Sequence, residues 1–203
     1  MRDRRRTILE AAARVIARRG VRGLRMEELA AEAGVSKALV YYHFEDRAGL
    51  LRSTLGFIGT RAERFTRRDP PGPRDPASSR RELERRLLLE LQDLPEVREN
   101  STAWGELRAG AVFDPELREE LARAGAGWVR EVADLLGRVG PPLPDADLVA
   151  AAERLTALLE GLSTRWLIGI LPVGHARELM REAIAAEVRR LDLPDRRTVC
   201  VTG

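Results

Sequence analysis

The side chains best suited to chemistry stand between Arg25 and Arg47. Ser36, Lys37, Ala38, Leu39, Tyr41, Tyr42 and His43 are packed into one short segment. Val40 and Phe44, four residues apart, give that segment an apolar edge, which turns Lys37, Ala38, Tyr41 and Tyr42 mainly outward. A helix of about eight residues bearing two exposed phenols and an ammonium is poorly explained by core packing. It is suited to a major groove, where small side chains allow approach and hydroxyls and cations meet phosphates and base edges. Lys37 is also chemically singular: the other 34 cationic side chains are Arg. A lysine ammonium is a compact point charge on a flexible stem.

Other chemistry finds little support. There is no phosphate-cradling glycine loop, no paired-histidine motif and no serine with a histidine base near it in sequence. One cysteine, Cys200, rules out a disulfide framework and a Cys-rich zinc site, and two histidines, His43 and His175, leave little for metal binding or histidine-based catalysis. Glu27-Glu28 and Glu119-Glu120 are helix neighbours that point apart. No catalytic residue, metal or cofactor is therefore expected.

The elements that must position the 36–44 segment are helical. Ile8, Leu9, Ala12, Val15 and Ile16 form one apolar stripe that Gly20 stops. Met26, Leu29, Ala30 and Ala33 mark a second, short helix ending at Gly34, where a left-handed residue permits a sharp turn. Val35 packs inward, and Ser36 caps the third helix. Asp46 caps a fourth that reaches about Arg67, before the breaker-rich Pro70, Pro71, Gly72, Pro73 and Pro76. A leucine-rich helix then closes at Pro95, and another passes through Trp104 and Leu107. A third opens at Asp114-Pro115 and runs to about Val139, with Gly125-Ala126-Gly127 inside it allowing close packing or a bend. Two long helices, about 146–171 and 174–191, finish the chain. The fold class is all-α.

Charge points the same way. Residues 1–50 hold eleven basic and seven acidic side chains, while the remainder is slightly acidic. The basic character thus sits where a polyanion would be met. Glu160 and Arg165 break the longest apolar stretch, and no export signal is legible, so a cytoplasmic protein with no membrane partner is expected.

The spaced features of residues 7–51 resemble the TetR family of transcriptional regulators. They are Ile8-Leu9, Ala11-Ala12, Arg19-Gly20, Met26 to Ala30, Ala33 to Lys37, Tyr41 to Phe44 and Leu50-Leu51. The resemblance implies a three-helix helix-turn-helix domain over residues 1–48, with the motif at about 25–44. It implies a larger ligand-binding and dimerisation domain over 49–203. It places Lys37, Ala38 and Tyr42 towards bases or nearby backbone, and Tyr41, His43 and Arg47 on phosphate. Arg4, Arg5 and Arg6 would lie on an arm ahead of the first helix. Leu24 departs from the threonine common there, so Arg25 would supply that phosphate contact. Leu39 also replaces a hydroxyl and would meet a thymine methyl.

In the larger part, Leu148, Ala151, Ala152, Leu155, Leu158, Leu159, Leu162, Trp166 and Ile170 share one helical face. Ala150, Ala157, Gly161 and Ile168 share a second, small-residue face. The last helix offers Met180, Ala183, Ile184, Glu187 and Leu191. Pairing of these two helices with their copies gives a four-helix homodimer interface. A polar stripe of Glu153, Thr156, Glu160, Ser163 and Thr164 lines a ligand cavity, bridges the dimer or faces water. Trp104, Phe113, Trp128, Glu160 and Trp166 are candidate contacts for an unidentified small-molecule effector, with Gln92, Asn100, Glu106 and Arg108 as further polar anchors. The expected function is a homodimeric, ligand-responsive repressor on an inverted-repeat DNA operator. Two alternatives stand beside it: an architectural DNA-binding protein without effector, and an all-α ligand carrier or enzyme.

Overall fold

The computed structural model describes residues 2–66 and 75–192, so the Pro70–Pro73 connection, Arg67 and Cys200 lie outside the described residues. Among those described there are nine α-helices and no strand. They are α1 (Arg2–Gly23), α2 (Met26–Ala33), α3 (Lys37–Phe44), α4 (Arg47–Thr66), α5 (Pro76–Leu88), α6 (Pro95–Ala111), α7 (Pro115–Leu136), α8 (Asp145–Leu167) and α9 (Val173–Asp192).

The punctuation is local chemistry. Gly20, at φ 72° and ψ 168°, breaks α1 before its last turn. Gly34, at φ 64° and ψ 38°, is the left-handed C-cap of α2, and its N–H returns to the Ala30 and Ala31 carbonyls. Ser36 Oγ accepts from the Leu39 N–H at 3.2 Å, and Asp46 Oδ1 accepts from the Gly49 N–H at 2.6 Å, so both expected caps form. Asp114 Oδ1 likewise accepts from the Leu117 N–H at 3.1 Å.

Three expectations change. Pro95 opens α6 rather than closing a helix, and Pro76 opens α5 after Asp75, whose carboxylate accepts from the Ser78 N–H at 3.0 Å. A first-turn proline gives up an N–H that has no partner in the helix anyway. Arg4, Arg5 and Arg6 form no arm, because α1 already includes them.

Two compact units form: Met1–Arg68 with Leu89–Gly127, and Asp69–Leu88 with Trp128–Gly203. In the first, α1 contacts α2, α4 and α6, and the α6 pairing is the most extensive. Ile8, Ile16, Leu29, Val40, Leu50, Leu55, Ile58, Ala103 and Leu107 are fully buried in one cluster. Packing thus groups α4, α6 and the start of α7 with the three N-terminal helices. Ion pairs seal α1 to α2: Arg14 and Arg18 meet Glu32 at 2.9 and 2.6 Å, and Arg19 meets Glu28 at 2.7 Å. Those arginines are thus engaged within the first unit.

The second unit buries Leu83, Leu87, Ala133, Leu136, Ala151, Leu155, Leu162, Trp166, Met180 and Ile184. Arg154 on α8 clasps Glu187 on α9 through two bonds, 2.6 and 2.7 Å. The shared apolar face of α8 is buried within this unit, except at Leu148, which is half-buried, Leu158, which is exposed, and Ile170, which is exposed beyond the helix end. Ala157, Gly161 and Ile168 are exposed. A Cβ added at Gly125 or Gly127 would meet nothing within 4 Å, so these glycines mediate no close packing.

Candidate nucleic-acid interface

The segment singled out by residue type forms α3, held from behind and open in front. Val40 and Phe44 are buried against the first unit's core, and Val35 packs on the same cluster. Tyr42 is 71% exposed and Tyr41 39%. Ser36, Lys37 and Ala38 are exposed, while Leu39 and His43 are half-buried. The Tyr42 and His43 rings meet edge-on at 5.4 Å between centroids. Lys37 Nζ lies 5.8 Å from the centre of the Tyr41 ring.

The flanking cations divide. Arg25 is exposed at the N-cap of α2 and makes no side-chain cap bond, while Leu24 is buried in the core. Arg47 donates to the Val21 carbonyl at 2.5 Å and ties the start of α4 to the last turn of α1. Arg5 sits 5.1 Å above the Phe44 ring and donates to Ser53 Oγ at 3.1 Å, which joins α1, α3 and α4. Val21 is held at its other end too. Its N–H donates to Glu106 Oε2 of α6 at 3.2 Å. The two peptide groups that flank Val21 are thus each held by a side chain of another helix, just ahead of α2.

Two roles escaped sequence reasoning. Glu106 and Arg47 position the turn into the motif; their partner is a backbone group, which leaves no mark on side-chain pattern. Glu27 pairs with Lys37 across the α2–α3 turn. The Lys37 hydrogen bond holds the Glu27 carboxyl below the usual glutamate range, and the same bond raises the Lys37 ammonium above its ordinary value.

The candidate effector residues are divided between the two units. Trp104 packs half-buried against the first unit's core. Phe113 is 76% exposed beside the Arg22 guanidinium, 5.6 Å from its ring centre, so it lines no enclosed cavity within its unit. Trp166 is buried, Trp128 half-buried and Glu160 exposed, all in the second unit. Thr156 is buried and satisfied by the Ala152 carbonyl at 2.9 Å. Glu153 and Thr164 face outward, and Ser163 is half-buried. Gln92 donates to the Leu89 carbonyl at 2.8 Å. Arg108 is half-buried. Asn100 is buried on α6, and its Oδ1 has no hydrogen-bond partner among the described residues. Among the described residues no group of three or more His, Cys, Asp or Glu is placed to hold a metal ion. No described helix is long and apolar enough to cross a membrane.

Residues 8–54, which contain this helix-turn-helix, match the bacterial regulatory proteins of the tetR family. Residues 79–189 match the C-terminal part of BetI-type transcriptional repressors. The chain belongs to the TetR family. As a TetR-family member it is a DNA-binding transcriptional regulator. The HTH-type transcriptional regulator BetI of Agrobacterium fabrum is 30% identical over 174 residues, 85% of this chain and 81% of that protein. A structure from Rhodococcus sp., assigned to the TetR-family regulators, is 44% identical with a TM-score of 0.83, covering 93% of this chain and all of that one. A Saccharomonospora viridis structure, assigned as a transcriptional regulator and solved in complex with choline, is 26% identical with a TM-score of 0.74, covering 91% and 97%.

Proposed function

We propose that this TetR-family regulator represses transcription as a homodimer whose two α3 helices enter successive major grooves of an inverted-repeat operator. The observation that carries this is the outward face of α3: Tyr42 is 71% exposed on a helix whose other side is fully packed. Ser36, Lys37, Ala38, Leu39, Tyr41, Tyr42 and His43 meet the DNA, and Arg25 meets flanking phosphate. Arg47 acts first by holding Val21. Functionally, residues 1–48 recognise DNA and 49–203 sense and dimerise, although packing draws α4 and α6 to the first group. Two-fold symmetry would set the reading helices about one helical turn apart, ~34–36 Å. Because its target is DNA, the protein works in the cytoplasm.

The exposed Ala157, Leu158, Gly161 and Ile168 on and just after α8 support pairing of α8 and α9 with a second copy. The effector is a small quaternary ammonium compound of the choline class. The choline-bound relative supports this, and tryptophan faces attract such cations. An effector acts only through its different affinity for the two spacings of the reading helices.

The test is to recover and sequence the genomic fragments that the purified protein retains, then add choline. An inverted repeat released by choline, with a change in tryptophan fluorescence, is the expected result. Sequence-independent retention with a steep salt slope would replace this reading with an architectural one.

A further inference from the structure

We propose that Glu27 determines sequence discrimination, forming with Lys37 a donor–acceptor pair that reads a G·C base pair and disfavours DNA lacking one. The inference rests on the placement of α3 at the groove.

Of the three acids on α2, Glu28 and Glu32 are only 27% and 24% exposed and turn to arginines of α1. Glu27 turns the other way, across the turn, to the ammonium of Lys37, the first residue of α3. Both side chains are well exposed, Glu27 at 69% and Lys37 at 48%. Exposed pairs of this kind contribute little to stability, so folding does not account for it. Lys37 also lies beside the Tyr41 ring, one turn along the same exposed side of α3.

A carboxylate on a DNA-facing surface is costly. It repels phosphate on every sequence, and it offsets the cation it holds. Such a group gains only where a base edge answers it. In the major groove cytosine offers its N4 amine to an acceptor, and guanine offers O6 and N7 to a donor, side by side in one base pair. Glu27 and Lys37 present an acceptor and a donor side by side. Glu27 also stays ionised, because its pKa is held down by the Lys37 hydrogen bond. The discrimination is then partly repulsive: non-operator DNA meets an unanswered negative charge.

The experiment uses the full chain. Binding to the recovered operator and to a random duplex of equal length is measured at several salt concentrations. Wild type, Glu27→Gln and Glu119→Gln are compared, each first checked by thermal melting. Glu119 is an exposed acid on α7, so its variant makes the same charge change away from α3. Glu27→Gln should tighten random-duplex binding and steepen its salt slope by about 0.9. It should lower the operator-to-random ratio roughly fivefold or more, and relax preference at one G·C pair per half-site in a bound-library selection. A ratio within about twofold of wild type, an equal drop with Glu119→Gln, or unchanged base preference would each overturn the proposal. A separate Lys37→Ala variant that leaves operator affinity intact would instead remove α3 from the groove, a distinguishable failure.

Discussion

At the residue scale, the molecule separates side chains that face a partner from those that hold the frame. Tyr42 and Lys37 belong to the first kind. Replacing either with Ala should weaken operator binding at least tenfold while leaving Tm nearly unchanged, because neither side chain is buried. Filter binding and thermal melting check the two halves of that statement. Gly20 belongs to the second kind. Its φ of 72° with ψ of 168° suits glycine almost alone, and an added Cβ would sit 2.6 Å from Glu106 Oε2. Gly20→Ala should cost about 1–3 kcal/mol and lower Tm by several degrees. Operator affinity should fall with it, because Glu106 would lose its hold on Val21. Asn100 is different again. A buried acceptor without a partner costs stability, so Asn100→Leu should leave Tm unchanged or raise it. A clear fall in Tm would mean that Asn100 has a partner.

At the element scale, each helix is fixed by its ends and by the stripe it buries. The α8–α9 pair shows how charge enters. Hydrogen bonds from Arg154 hold the Glu187 carboxyl below the usual range, and the side chain is only 15% exposed. A carboxylate whose folded pKa is depressed contributes stability above its unfolded pKa, about 4.3. That contribution is lost as pH falls through the lower folded value. Denaturant melts of Glu187→Gln should therefore show less stability than wild type at pH 7. The gap should close as pH drops below about 4. A constant difference across that range would show the pair to be packing alone. The short α3 depends most on its cap, the Ser36 hydroxyl, because eight residues cannot sustain a helix by themselves.

At the scale of the whole molecule, the first unit gathers α6 and the start of α7 around the helix-turn-helix. Its extensive α1–α6 pairing makes α6 part of the frame that holds the reading helix. The exposed small-residue face of α8 carries the expectation of a second chain. Gly161 has open space around it, so Gly161→Arg should leave each chain folded yet shift sedimentation towards monomer and reduce operator affinity. An unchanged, concentration-independent sedimentation coefficient for both proteins would dismiss this interface.

Periodicity and punctuation determined the helix inventory, because a helix writes its own ends. Gly34, Ser36, Asp46 and Asp114-Pro115 each act on backbone groups within four residues. The exposed face of α3 was legible for the same reason: Val40 and Phe44 name the buried side. Prolines 76 and 95 read as breakers in the sequence, yet each opens a helix, because a first-turn proline gives up an N–H that the helix leaves unpaired anyway. Tertiary structure alone decided that Arg14, Arg18 and Arg19 serve the fold and that Arg47 and Glu106 grip Val21. It also turned Glu27 to Lys37 and left Phe113 at the surface. These are pairings between charged groups and distant partners, several of them backbone amides and carbonyls. A charge in a sequence states what it can bind, and only the packing of helices states what lies within reach.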